Sequence, residues 1–329
     1  MATFGEAVAT SHVLSLMAME EASRQGLREA DCEHLLIALA LDGGVAGQVL
    51  RSLGVTVEKT RAALSAQHTA QLESLGVEAP AVEPGRIVFH ETQGYHWSGR
   101  ALQVMKDASR AGRGGDAPAI LRALVAEPSG FIAATLERLG TDADEVARRL
   151  DDADRLPSAP RRRRDQAPLS TSTTAFVPAP PEQVWALVSD AERIPEWDAV
   201  IGSVTRPHGG AGGDVWIGRP RTHAPDGRPL RITPAMRQQE MHLVSTQEPV
   251  SVQWRFRYPD VARSHARRVT LSLEHAAGGT HLGISLAWEP PAERRPRPLA
   301  ALVLRPLYRA MLWMQVSVLA AAISRVFRQ

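Results

Sequence analysis

The hydrophobic period of this chain changes once, and the change falls across a segment rich in proline and arginine. Before that segment, apolar residues such as Val13, Leu16 and Met17 recur three and four apart, the spacing of one helix face. After it they alternate. Val252, Trp254, Phe256 and Tyr258 are interleaved with Gln253, Arg255 and Arg257. Val269, Leu271 and Leu273 alternate with Thr270 and Ser272, and Leu282, Ile284, Leu286 and Trp288 with Gly283, Ser285 and Ala287. A period of two buries one face of an antiparallel strand and leaves the other to water. The 329 residues therefore divide into an all-α domain at 1–150, a linker at 151–170 and an α+β domain at 171–329. Leu156-Pro157-Ser158-Ala159-Pro160, Arg161 to Arg164 and Ala167-Pro168 give the linker the composition of a solvated tether.

The first domain contains an internal repeat. Ala22-Ser23-Arg24-Gln25-Gly26 returns as Ala108-Ser109-Arg110-Ala111-Gly112, and Leu35-Leu36-Ile37-Ala38-Leu39 as Ile120-Leu121-Arg122-Ala123-Leu124. Leu53-Gly54 returns as Leu139-Gly140, at a spacing of about 86 residues. Each copy reads as four short helices. Gly26, Gly54, Gly112 and Gly140 stand where a helix C-terminus needs left-handed backbone.

In the second domain Ala276-Ala277-Gly278-Gly279 predicts a hairpin turn. Pro180-Pro181 opens a helix over Glu182 to Ser189, and Pro298 opens a long closing helix from about Leu299 to Val326. The order strand, short helices, several strands, long helix implies a helix lying across a curved sheet.

Glu20-Glu21-Ala22 through Gly26, Glu33-His34-Leu35-Leu36, and Val49-Leu50 through Leu53-Gly54-Val55 make the first domain similar to the N-terminal (Clp R) repeat domain of Clp/Hsp100 unfoldases. That resemblance implies a surface that docks adaptors, peptides or tagged substrates, with Clp protease components or their substrates as partners. It also implies that the family's recognition glutamate falls on Glu33. The corresponding position of the second copy is Ala117 or Pro118. The attached motor of that family is missing from the sequence. No G-x-x-x-x-G-K-[ST] occurs, and Gly209-Gly210-Ala211-Gly212-Gly213 lacks the lysine that would meet phosphates.

Phe176-Val177-Pro178-Ala179-Pro180-Pro181-Glu182-Gln183-Val184-Trp185, continuing to Ile194-Pro195-Glu196-Trp197-Asp198, resembles the SRPBCC superfamily, the START-like or polyketide cyclase/dehydrase-like helix-grip fold. The resemblance implies a hollow between sheet and closing helix that takes an apolar small molecule, lipid or polyketide-like. The residues that alternation and helical period offer to it are Trp254, Phe256, Tyr258 and Trp288 from strands, with Leu307, Met311 and Met314 from the helix. Trp185 and Trp197 read as packing residues. Arg294, Arg295 and Arg297 precede the closing helix, where they would favour an anionic head group.

The alternative is an enzyme of the cyclase/dehydratase type, which requires titratable groups converging on the hollow. Asp198, Glu240, His242 and His281 are the candidates, although alternation turns His281 away from Leu282 and puts Glu240 and His242 opposite Met241 and Leu243. The non-enzymatic reading is preferred.

No metal or other cofactor is expected. His90 and His96 lie six apart without cysteine or carboxylate at ligand spacing. The single cysteine, Cys32, reads as a small buried residue. Residues 1–165 carry 19 basic and 23 acidic side chains, and the remainder 19 and 13. No DNA-binding motif accompanies Arg161 to Arg164, so nucleic acid is not an expected partner. The apolar run Ala310 to Ile323 is about 14 residues, short of the roughly 20 that a membrane span needs. With no basic, apolar leader at its start, the chain is expected in the cytoplasm.

Overall fold

The computed structural model describes residues 4–77, 85–87, 94–110, 115–156, 169–206, 215–224, 227–261, 264–290 and 298–328, with the backbone alone at 4–11 and 298–307. The chain divides into two units, Met1–Ala159 and Pro160–Arg328.

Among its described residues the N-terminal unit is built from two successive sets of four helices. The first set is α1 (Phe4–Arg24), α2 (Cys32–Ala40), α3 (Val45–Ser52) and α4 (Val57–Ser74). The second is α5 (Gly99–Ala108), α6 (Ala117–Val125), α7 (Phe131–Arg138) and α8 (Ala143–Arg155). Short polar side chains start most of them by accepting a free N–H of the first turn. Asp31 and His34 form a reciprocal capping box on α2. Thr56, Ser98, Asp116 and Asp142 cap α4, α5, α6 and α8. Gly54 and Gly140 take φ of 79° and 81° where α3 and α7 end. Val55 then donates back to Leu50 and Thr141 to Leu136, closing both helices in the same way. Two short strands, β1 (Glu29–Ala30) and β2 (His96–Trp97), pair in parallel and tie the sets together. Helix α2 is the centre of the unit, since every residue from His34 to Ala40 is buried.

The C-terminal unit is one seven-stranded antiparallel sheet, among the described residues, gripped by helices. Strand β3 (Ser170–Val177) leads into α9 (Pro181–Val188) and α10 (Ile194–Trp197). Six strands follow: β4 (Ile201–Thr205), β5 (Val215–Pro220), β6 (Gln239–Gln247), β7 (Ser251–Arg257), β8 (Ala266–Ala276) and β9 (Gly279–Glu289). They pair in the order β3-β9-β8-β7-β6-β5-β4, so the last six form a meander and β3 closes beside β9. The long helix α11 (Pro298–Val326) packs against β3, β9 and α10. At the β8–β9 turn, a side chain on Gly279 would collide with the Val177 carbonyl at 2.2 Å and the Phe176 ring at 2.8 Å. Glycine there lets β3 approach closely.

The core lies between the inner face of the sheet and the helices. Ala175, Val252, Leu271 and Ile284 from the strands meet Val184 and Leu187 of α9 and Leu312, Val316 and Ile323 of α11. Burying a side chain of this size stabilises by about 1.5–3 kcal/mol.

Candidate functional site on the inner face of the C-terminal sheet

The strand register fixes what the inner face presents. One cross-strand row reads Trp288 (β9), Arg267 (β8), Phe256 (β7), Met241 (β6) and Trp216 (β5). The next begins where β7 ends, with Tyr258 continuing the alternation opposite Gln239 of β6. An arginine therefore sits in the middle of an aromatic row.

Arg267 is held from two sides. Its Nη2 donates to Asp198, which follows α10 and is 1% exposed. Its guanidinium lies over the Phe256 ring, 4.3 Å from the centroid. The second oxygen of Asp198 accepts from the Val200 N–H at 2.9 Å. Tyr258 belongs to the same cluster. Burial pushes its phenol up from the ordinary value, Arg267 opposes that shift and Asp198 adds to it.

The aromatic residues expected at a hollow divide into two groups. Trp254 and Phe256 are 0% and 1% exposed and are packed into the core. The Trp254 indole donates to the Val188 carbonyl at 2.8 Å, which makes it a support for α9. Tyr258 and Trp288 are half-buried, and Trp288 meets Tyr308 edge-to-face at 5.9 Å. Trp216 and Leu243, absent from the sequence-based set, are also half-buried against the core, with Trp216 edge-to-face on Trp254 at 5.5 Å.

The closing helix corrects the expectation most. Met311 and Met314 are 42% and 57% exposed, while Leu312, Val316 and Leu319 supply its core face. At 100° per residue Met314 lies nearly opposite Leu312 and cannot share its contacts. The side chain of Leu307, and Arg294, Arg295 and Arg297, lie outside the described residues.

Glu240 and His242 occupy the outer face. There Arg257 donates to Glu240 at 3.1 Å through Nε, and His242 Nε2 lies 3.5 Å from the same carboxylate. His281 pairs across the sheet with Glu274 and Phe176, on the face away from Leu282. Of the four titratable candidates only Asp198 reaches the inner side. Trp185 and Trp197 are buried, at 8% and 1% exposure.

In the N-terminal unit the Glu33 side chain is 12% exposed. His68 of α4 holds it, and the His68 ring stacks at 4.9 Å on Phe131 of α7. The hydrogen bond to Glu33 raises the His68 pKa. Burial lowers that of His34, whose Nδ1 accepts from the Asp31 N–H at 3.0 Å. Cys32 is buried, and burial pushes its thiol up to about 12. His96 pairs with Glu29 at 3.0 Å, and His90 lies outside the described residues. Trp97, Leu102 and Met105 line a hollow of about 420 Å³ with Lys106 and Arg110 beside them. Among the described residues no single helix is long and apolar enough to cross a membrane.

Residues 168–314 match the family model described as polyketide cyclase / dehydrase and lipid transport, and this part of the chain is similar to that family. Similar solved structures include the protein XoxI from Bacillus cereus, at 16% identity over 49% of this chain and 96% of that one, with a TM-score of 0.34. A START superfamily protein from Mycobacterium smegmatis is 16% identical over 49% and 97% of the two chains, TM-score 0.33. The Polyketide_cyc-like protein Cgl2372 from Corynebacterium glutamicum is 20% identical over 49% and 91%, TM-score 0.32. No curated protein matches the chain.

Proposed function

We propose that the C-terminal unit binds an apolar small molecule, lipid or polyketide-like, against the inner face of its sheet, and does so without transforming it. The supporting observation is the half-buried aromatic surface of Tyr258, Trp288 and Trp216 beside a sealed floor of Trp254 and Phe256. Aromatic groups left accessible on an otherwise packed face cost hydration unless a ligand covers them. Titration of the full chain with fatty acids and polycyclic aromatics tests the reading. Binding should shift tryptophan fluorescence and raise the melting temperature, and no response to any of them would reject it.

An enzyme of the cyclase/dehydratase type is the second reading. It is favoured by the inward placement of Asp198, Arg267 and Tyr258, groups able to polarise a carbonyl or to hold a proton. Product formation from a poly-β-keto substrate, lost in Tyr258→Phe, would establish it.

For the N-terminal unit the proposal is a protein-docking role, with Clp protease components or their substrates as partners and the hollow at Trp97 and Leu102 as the contact. The basic neighbours Lys106 and Arg110 suit an acidic, apolar segment. Purified Clp subunits should bind the full chain and fail to bind Leu102→Asp. Equal binding by both proteins would remove the proposed contact, and binding by neither would remove the partner.

A further inference from the structure

We infer that the ligand of the C-terminal unit carries a neutral oxygen function, a hydroxyl or ketone, and that Gln239, Trp197 and Arg267 read it. This rests on the binding role proposed above and adds the ligand's chemical class.

Among the described residues, the buried polar atoms of this unit without a hydrogen-bond partner include Gln239 Oε1, Trp197 Nε1 and Arg267 Nε. Gln239 is 6% exposed and Trp197 1%, so bulk water does not satisfy them. A buried donor or acceptor left unmade is costly, so such atoms are retained where something else completes them. The register gathers the cluster at one end of the inner face. Arg267 and Phe256 are cross-strand partners, Met241 is the next partner along, and Gln239 precedes Met241 by one same-face step on β6. Trp197 ends α10 immediately before Asp198, whose carboxylate meets Arg267. The set offers two donors and one acceptor, matching the two lone pairs and one proton of an alcohol.

Charge decides between a neutral and an anionic ligand. Arg267 is already neutralised by a buried carboxylate. An entering carboxylate would meet a compensated guanidinium with Asp198 beside it, and would be desolvated without gaining an unpaired cation. A hydroxyl or ketone has no such penalty. The cluster thus departs from the anionic head group suggested by Arg294, Arg295 and Arg297.

Three probes of matched shape test this on the full chain: 9-anthracenemethanol, 9-methylanthracene and 9-anthracenecarboxylate, each titrated by its own fluorescence. The alcohol should bind roughly tenfold more tightly than the methyl compound, about 1.4 kcal/mol, and the carboxylate more weakly than the alcohol. Gln239→Leu should bring the alcohol within about twofold of the methyl compound, with cooperative thermal unfolding by circular dichroism showing that the variant is folded. Equal binding of alcohol and methyl compound, or preference for the carboxylate, overturns the inference while the apolar-binding role stands. Binding of none of the three overturns both.

Discussion

Replacing Asp198 by alanine should destabilise the C-terminal unit by about 3 kcal/mol. The substitution removes the acceptor of Arg267 and of the Val200 N–H from a site that is 1% exposed. Breaking one partner of a buried pair costs roughly 3–5 kcal/mol, because the surviving charge stays desolvated. The Arg267 side chain keeps 18% of its exposure and its stacking on Phe256, which places the cost at the lower end. The Val200 N–H adds little, since Val200 is exposed and water can replace the carboxylate. For a unit of this size about 3 kcal/mol lowers the melting temperature by roughly 6–12 °C. Tryptophan fluorescence isolates the effect, because every tryptophan except Trp97 lies in residues 160–328. The double variant Asp198→Leu/Arg267→Met removes both charges, keeps an apolar group over Phe256, and should recover to within about 1 kcal/mol of the parent. A single variant costing less than about 1 kcal/mol would refute the reasoning, as would a double variant costing the sum of the two singles.

Other consequences follow from particular contacts. Trp254→Phe leaves the Val188 carbonyl without its donor and opens space under α9, so urea unfolding should show a loss of about 2–3 kcal/mol. Met314→Glu should leave stability within about 0.5 kcal/mol and ligand affinity unchanged, because Met314 faces outward. The His68 pKa is raised in the folded state, so its contribution is complete below the ordinary histidine value and fades as pH rises through the folded one. With His68 half exposed, the loss should be about 0.5 kcal/mol between pH 6 and 8, and should vanish in Glu33→Gln when thermal unfolding is followed by circular dichroism. Gly279→Ala should cost about 2–3 kcal/mol, read from the urea midpoint, because its methyl would press on the Val177 carbonyl.

Much of this architecture is legible from period alone. Alternation in Val252 to Tyr258 and Leu282 to Trp288 marks strands whose inner faces the register confirms. The site is less legible, for reasons that differ by residue. Arg267 stands beside Arg268, and its charge masks its place on a buried strand face. Extending the alternation of Leu273, Leu271 and Val269 by one more step puts it on the buried face, so the signal was present. Met311 and Met314 face outward on a helix that is apolar on almost every side, and composition alone selects no face of such a helix. The capture of Glu33 by His68, far away in sequence, depends on how α4 packs, which no local pattern encodes. The distinction between Trp254 as sealed floor and Trp288 as accessible wall is one of packing depth along a single face.

Native mass spectrometry of the full chain purified from its own cell tests the ligand-binding claim most directly. The account predicts a second species, heavier by the mass of one small organic molecule, that collapses to the bare chain in organic solvent. It also predicts that replacing Trp288 by arginine removes that species while the protein remains folded. A single species at the bare mass, together with no added mass after incubation with the anthracene probes, would contradict it.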